Sequence, residues 1–395
     1  MVGTTVDSIR SLLAEARRTG VEDVAETVAS LAPHMAAEAL TIYVVDHQQT
    51  TLTEMGGTGA ALAVDTTVAG WAYRTGAIAE SRDNGAVDCW VPLVSAGDRL
   101  GVLRVRSVEG NDRARAESVR AAPMISDLII DAARSGDTVE RTRRRSRMLV
   151  PAELIRAELP ALSYANEHLV ISGILEPCYA VGGDAFDYAV NGTIAHLALF
   201  DAVGHGAAHN GLRAALLASA ALASYRNARR AGLNLADTYL HVDRIIRDHD
   251  RSGLITGIFA ELDQRTGLLR VISAGHPGGL IIRGGSVVST LPTPTAMPVS
   301  LGDLQSPVIV TETLQPGDHL LLYTDGITEA RTPEGEFFGV ARLIDFVSQA
   351  MAAHVSAPET TRRLIHAILA HQNDVLQDDA TVMLVHWIGY SQHRR

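Results

Sequence analysis

At 395 residues the chain is longer than one ordinary hydrophobic core supports, which predicts two domains and a helical connection. Its 47% hydrophobic and 20% charged residues match a soluble globular protein, and a net charge of −11 argues against a general nucleic-acid binder. No apolar run reaches the ~18 residues of a membrane span, the N-terminus has no apolar leader core, and Cys89 and Cys178 suggest no disulfide framework, so a reducing cytoplasm is the expected compartment.

Residues 1–40 read as helical, with apolar positions at helical spacing in VDSIRSLLAEARR and VEDVAETVASLAPHM. A strand follows at Leu40–Asp46, LTIYVVD. Farther on, CWVPLV (Cys89–Val94) and LGVLRVRS (Leu100–Ser107) flank a turn at Ser95-Ala96-Gly97-Asp98, the pattern of a hairpin. These elements predict a small α/β domain over residues 1–135. A helix-rich stretch carries Met124, Ile125, Leu128 and Ile129 along one face. That face needs a cover, and a partner helix from a second copy is the expected one, which predicts a homodimer. The cluster Arg141, Arg143, Arg144, Arg145 and Arg147 reads as a solvated helix face within a linker over residues 136–163.

From residue 164 to 390 the pattern is rich in strands and paired long helices. HLVISGILEP and TIAHLALFDA read as strands, and Ala207–Arg230 and Asn234–Arg251 as helices. LITGIFAEL and LLRVISAG form one hairpin, and GLIIRGGSVVSTL another, turned at Gly284-Gly285. HLLLYTD, two helices in Val340–Ala353 and Pro358–Asn373, and the strand ATVMLVHW complete the region. Antiparallel hairpins interrupted by helix pairs predict two sheets in a sandwich with helices outside, an α+β fold.

Several of these apolar strands meet an aspartate at an end. Asp184 follows Gly182-Gly183, Asp201 precedes Ala202 and the Gly204-His205-Gly206 segment, Asp325 precedes Gly326, and Asp378-Asp379 precede the last strand. A lone Asp-Gly is a turn signal. A carboxylate at the rim of an apolar core, however, is costly to desolvate unless paired, and no lysine or arginine adjoins any of these. If the rims converge, their repulsion requires a strong cation. An all-oxygen set without Cys/His spacing points to Mg²⁺ or Mn²⁺. Two such ions can generate a hydroxide and clamp a phosphoryl group.

The segments GGDAFDY, DAVGHG, SAGHP, YTDGITEA and DDATVMLV occur in that order. In order and wording they resemble the SpoIIE/RsbU type of PP2C-like serine/threonine phosphatases. The resemblance implies an αββα sandwich of PP2C type over residues 164–390 and dependence on two Mn²⁺ or Mg²⁺ ions. It further implies a metal site of Asp184, Asp201, the Ala202 carbonyl, Asp325 and Asp378, with Asp379 the less favoured of its pair. His205 and His276 are expected to fix loops near the site. The resemblance implies as substrate a phosphorylated STAS-type anti-sigma-factor antagonist. VAGWAYRTGAIAES followed by CWVPLVSAGDRLGVLRVRS resembles a GAF domain, which implies a sensor or dimerisation role and an unidentified small-molecule or protein input. Cys89 reads as core, and Trp71 and Tyr73 as either core or pocket lining.

Two other readings compete. A catalytically inactive scaffold could bind the same partner, but it would have no reason to keep mutually repelling carboxylates. GGDAF also resembles the GGDEF signature of cyclic-dinucleotide synthases, yet Ala185 replaces the second acidic residue and the downstream motifs do not fit.

Overall fold

The alternation in Ala380–Trp387 decides the layering of the C-terminal half. Val382 and Leu384 face one apolar cluster while Met383, Val385 and Trp387 face another, so this strand is buried on both sides. The computed structural model describes residues 11, 23–83, 85–108, 111–180, 182–202, 211–250, 252–301, 305–373, 376 and 378–390. It divides into two compact units, 1–147 and 148–395.

In the first unit, helix α1 (Val24–Ala29) precedes strands β1 (Ala39–Val45), β2 (Thr51–Glu54) and β3 (Leu62–Ala63). Helix α2 (Val68–Thr75), strands β4 (Ala79–Asp83), β5 (Ala86–Ser95) and β6 (Asp98–Val108), and helices α3 (Asp112–Ser135) and α4 (Thr138–Arg143) follow. The strands form an antiparallel sheet in the order β3-β2-β1-β6-β5-β4, with β5 and β6 as the expected hairpin. Ile125, Leu128 and Ile129 of α3 are buried in one cluster with Val91, Leu103 and Val105 of the sheet. The unit's own sheet therefore covers the face that suggested a partner helix, and the sequence argument for a homodimer loses its basis. The arginine cluster also departs from a simple solvated face. Arg143 donates to the Val45 carbonyl at 3.1 Å, Arg144 to Glu140 at 3.0 Å, and Arg145 to the Thr51 hydroxyl. Cys89 is buried, and burial raises its thiol to about 11, as suits a core residue. Tyr73 is core, whereas Trp71 is exposed.

In the second unit, helix α5 (Val150–Glu158) leads to β7 (Ser163–Ala165), β8 (Leu169–Glu176), β9 (Asp184–Asn191) and β10 (Ile194–Ala202). Helices α6 (Gly211–Arg230) and α7 (Leu235–His249) precede β11 (Ile255–Asp263), β12 (Leu268–Ala274), β13 (Leu280–Arg283), β14 (Ser286–Thr290), β15 (Val310–Thr313) and β16 (His319–Tyr323). The chain then forms α8 (Asp325–Thr328), α9 (Gly339–Ala352), α10 (Ala357–His371) and β17 (Ala380–Trp387). One antiparallel sheet runs β15-β12-β11-β10-β9 and the other β14-β13-β16-β17-β8-β7. Their facing sides share a core that includes Phe186, Leu197, Leu322 and Met383. Helices α6 and α7 pack on the first sheet, where Phe200 and Phe259 meet Tyr225 edge-on. Helices α9 and α10 cover the second, around Leu343, Ile365 and Ile368. This is the expected mixed α/β sandwich. Among the described residues no helix is long and apolar enough to cross a membrane.

Two sequence expectations shift. Asp184 does not end β8; it opens β9, which the short polar run DAFDYAVN concealed. Asp325 follows its strand by two residues and begins α8.

Candidate active site

Antiparallel pairing brings the predicted residues to one end of the sandwich. Asp184 lies directly opposite Asp201 across β9 and β10. On the neighbouring sheet, the end of β16 and the start of β17 are cross-linked between Thr324 and Thr381. The Thr324 amide donates to the Thr381 carbonyl at 3.0 Å, and the Thr381 amide to the Thr324 hydroxyl at 3.0 Å. Both hydroxyls then reach across to the first sheet. Thr324 Oγ1 and Thr381 Oγ1 donate to Asp184 Oδ2 at 2.8 and 2.6 Å. Neither threonine is among the site residues expected from the sequence. Their signal was a hydroxyl residue held at the mouth of an apolar strand, beside an aspartate in YTDG and DDAT.

Asp184 is 2% exposed. Burial raises its carboxyl well above the usual range, the charges of Asp201 and Asp379 raise it further, and the two threonine hydrogen bonds oppose them. It is therefore a carboxylate under repulsion, fixed in place by neutral donors.

Asp379 plays a distinct part. Its Oδ2 accepts from the amides of Gly182, Gly183 and Asp184 at 2.8, 2.6 and 3.1 Å. Three successive backbone N–H groups converge on one carboxylate oxygen, an anion-binding concavity filled from within the protein. Asp378 accepts the Asp379 amide on Oδ1 at 2.9 Å. Asp201, Asp325 and Asp378 are partly exposed.

Backbone crowding requires the glycines at 183 and 326. A Cβ on Gly183 would stand 2.1 Å from the Ala202 carbonyl oxygen, and one on Gly326 would stand 1.9 Å from that of Asp379. These contacts hold the loops carrying Asp184, Asp201, Asp325 and Asp379 in one packed group.

His276 is buried, and burial lowers its imidazole to about 4, so it is neutral at physiological pH. Its Nε2 donates to the Tyr323 carbonyl at 3.1 Å, which leaves Nδ1 to accept from Thr256 Oγ1 at 2.7 Å. Thr256 pairs with Asp201 across β11 and β10. One ring therefore ties the strand beside Asp201 to the strand leading to Asp325. His205, with Val203 and Gly204–Gly206, lies outside the described residues.

Among the described residues the donor set consists of carboxylates and a backbone carbonyl, with no thiolate and no available imidazole, which fits hard divalent ions such as Mg²⁺ or Mn²⁺. The repulsion on Asp184 is the feature such an ion would relieve. Among the described residues no three acidic, histidine or cysteine side chains cluster tightly enough to hold an ion by themselves. The Ala202 carbonyl and water oxygens would complete the coordination.

Comparison with known proteins gives a consistent result. The family described as stage II sporulation protein E (SpoIIE) matches residues 192–388, a span that holds Asp201, Asp325, Asp378 and Asp379. Protein IcfG of Synechocystis sp. is 31% identical over 150 residues, covering 36% of this chain and 22% of that protein. The phosphoserine phosphatase RsbU of Bacillus subtilis is 25% identical over 223 residues, covering 56% of this chain and 64% of RsbU. The chain thus spans less than two thirds of either relative's length. The solved SiaA-PP2C domain of Pseudomonas aeruginosa is similar in fold, with a TM-score of 0.50 and 22% identity over 60% of this chain and 93% of that domain. Through its C-terminal unit, where the two-sheet sandwich, the carboxylate rims and the family match coincide, the chain belongs to the SpoIIE family of PP2C-type serine/threonine phosphatases.

Proposed function

We propose that the protein is a metal-dependent phosphatase that removes phosphate from serine or threonine of a regulatory protein in the cytoplasm. The observation that carries this reading is Asp184, buried, repelled by Asp201 and Asp379, and fixed by Thr324 and Thr381. Asp184, Asp201, Asp325, Asp378 and the Ala202 carbonyl would hold the ions. When bound, Mg²⁺ or Mn²⁺ supply a hydroxide at neutral pH and neutralise phosphoryl charge. The protein's own work is orientation. The two threonines occupy Asp184 Oδ2, and Oδ1 accepts no hydrogen bond among the described residues, so that oxygen is the one presented for binding. His276 ties β11, the strand beside Asp201, to the end of β16, which leads into Asp325.

Asp379 is assigned to positioning, since its Oδ2 is already engaged by the 182–184 amides. Asp379→Ala strands those amides, at about 1–3 kcal/mol for each unsatisfied group. It should lower kcat by the ~10–100-fold typical of an outer-shell partner and weaken the apparent Mn²⁺ affinity. Asp379→Asn keeps one acceptor oxygen and should recover part of both. A variant that loses thermal stability yet keeps kcat and metal dependence would disprove the positioning role.

RsbU is named a phosphoserine phosphatase, and with the family match that supports a phosphoprotein substrate here. A phosphorylated STAS-type antagonist is the substrate proposed. One phosphate adds about −1.5 to −2 charges, enough to block a docking surface until it is removed. The GAF-like first unit is proposed to control this activity. The test follows phosphate on phosphorylated STAS-domain proteins of the same cell by mass spectrometry, with chelator and then with Mn²⁺ or Mg²⁺. Loss of phosphate only with metal is expected. Turnover in chelator would overturn the metal mechanism. Metal-dependent hydrolysis of an aryl phosphate without action on any STAS protein would overturn the substrate. No hydrolysis at all would favour the inactive scaffold.

A further inference from the structure

The first unit contains a cavity of about 570 Å³ that the phosphatase reading does not use. It opens beside β2 and α4 and is lined by Thr53, Glu54, Thr138, Arg141, Arg144 and Arg145, with glycines of the 56–59 loop at its edge. All of these residues lie within the first unit. Strand β3 pairs only with Thr51 and Leu52 of β2, so among the described residues no strand pairs with that edge of β2 from Thr53 onward.

The cavity wall is cationic. Arg144 is engaged by Glu140 at 3.0 Å, and Glu140 is also bound by His47 at 2.8 Å. Arg145 reaches the Thr51 hydroxyl, so its guanidinium is held against the sheet. The Arg141 guanidinium has no ion pair or hydrogen bond among the described residues. The Thr53 hydroxyl is buried and likewise has no partner among the described residues. A buried hydroxyl without a partner is unusual in a folded protein and calls for an explanation. Here it shares a cavity lined by three arginines, whose planar guanidinium forks suit phosphate oxygens.

The one acidic side chain among the described lining residues lies against the glycine loop. Glu54 packs against the glycine loop so closely that a Cβ on Gly57 would stand 2.3 Å from its Cδ, and one on Gly59 would stand 2.7 Å from its Oε2. It sits at the glycine side of the cavity, where a carboxylate would accept from hydroxyl groups. We infer that this cavity binds a small phosphorylated polyol, with its phosphate on Arg141, Arg145 and the Thr53 hydroxyl and its hydroxyl groups toward Glu54. The volume is within the ~300–1,000 Å³ of small-molecule sites. The inference concerns the first unit alone and stands whether or not the second unit is an active phosphatase.

The test titrates the full chain with ribose 5-phosphate by calorimetry, in chelator so that no ester is hydrolysed. Saturable binding is expected, weaker with inorganic phosphate and absent with ribose, and the affinity should fall as salt rises. Arg141→Glu, at an exposed side chain without partners, should weaken binding at least tenfold while leaving the melting temperature unchanged. Thr53→Val, which keeps the shape and removes the hydroxyl, should weaken it severalfold. Asp325→Asn should leave it unaltered. Absence of saturable binding to either phosphate compound, or equal affinity in Arg141→Glu, would overturn the proposal. Loss of binding in Asp325→Asn would also overturn it, because the anion would then be at the carboxylate site.

Discussion

Asp201→Asn is expected to reduce hydrolysis of a phosphate ester far beyond the ~10–100-fold of an outer-shell change, while the protein stays folded. The substitution keeps the shape of the side chain and removes the charge an ion requires. It also removes one of the charges that raise the Asp184 carboxyl. The metal-free variant should therefore be at least as stable as the parent, because like-charge repulsion falls. This pairing of lost activity with retained or increased stability separates a ligand from a structural residue, whose loss lowers both. The measurements are turnover with saturating Mn²⁺ and the melting temperature in chelator. Full turnover in the variant would remove Asp201 from the site.

The second large effect is expected from one methyl group. Gly326→Ala places a Cβ, fixed directly to the backbone, 1.9 Å from the Asp379 backbone carbonyl oxygen. No side-chain rotation can relieve it. The α8 loop and the start of β17 must separate by roughly 1 Å, and a displacement of that size in a reacting site costs ~10²-fold in rate. The loss should appear in kcat more than in KM, since the substrate's remote contacts are unaffected. Circular dichroism should remain that of the parent, because the contact touches only the first residue of β17 and leaves the rest of both sheets in place. A variant with parental kcat would mean that the packed loop does not position the carboxylates.

Most of the fold was legible because its signals are local. The Ser95–Asp98 and Gly284-Gly285 turns each set a hairpin, and the continuous apolar run in Ala380–Trp387 marks a buried strand. Strand β9 was hidden because Asp184 and Asp187, polar in the sequence, are buried in the structure. Asp187 is neutralised by Arg226 and Arg229 of α6 at 2.8 and 2.9 Å, partners some forty residues away. The α3 face was assigned to a second copy because a sequence cannot say which surface covers an apolar stripe. The aspartates of the candidate site could be named from their glycine neighbours. Their division of labour could not, since Asp378 and Asp379 are adjacent and alike. Only the three amides converging on Asp379 distinguish them.

The position of β17 bears on how the protein is made. It sits between β16 and β8, with Ala380 paired to Glu176, so the centre of one sheet joins the start of the unit to its end. During synthesis β8 emerges from the ribosome long before its partner exists. Contacts this distant in sequence close late and slowly. Until Trp387 is out, Met383 and Val385 are missing from the core between the sheets, and Asp379 and Thr381 cannot engage Asp184. The unit therefore completes its core and its site only once β17 has been made, and a chain lacking that strand would expose apolar sheet that chaperones must shield.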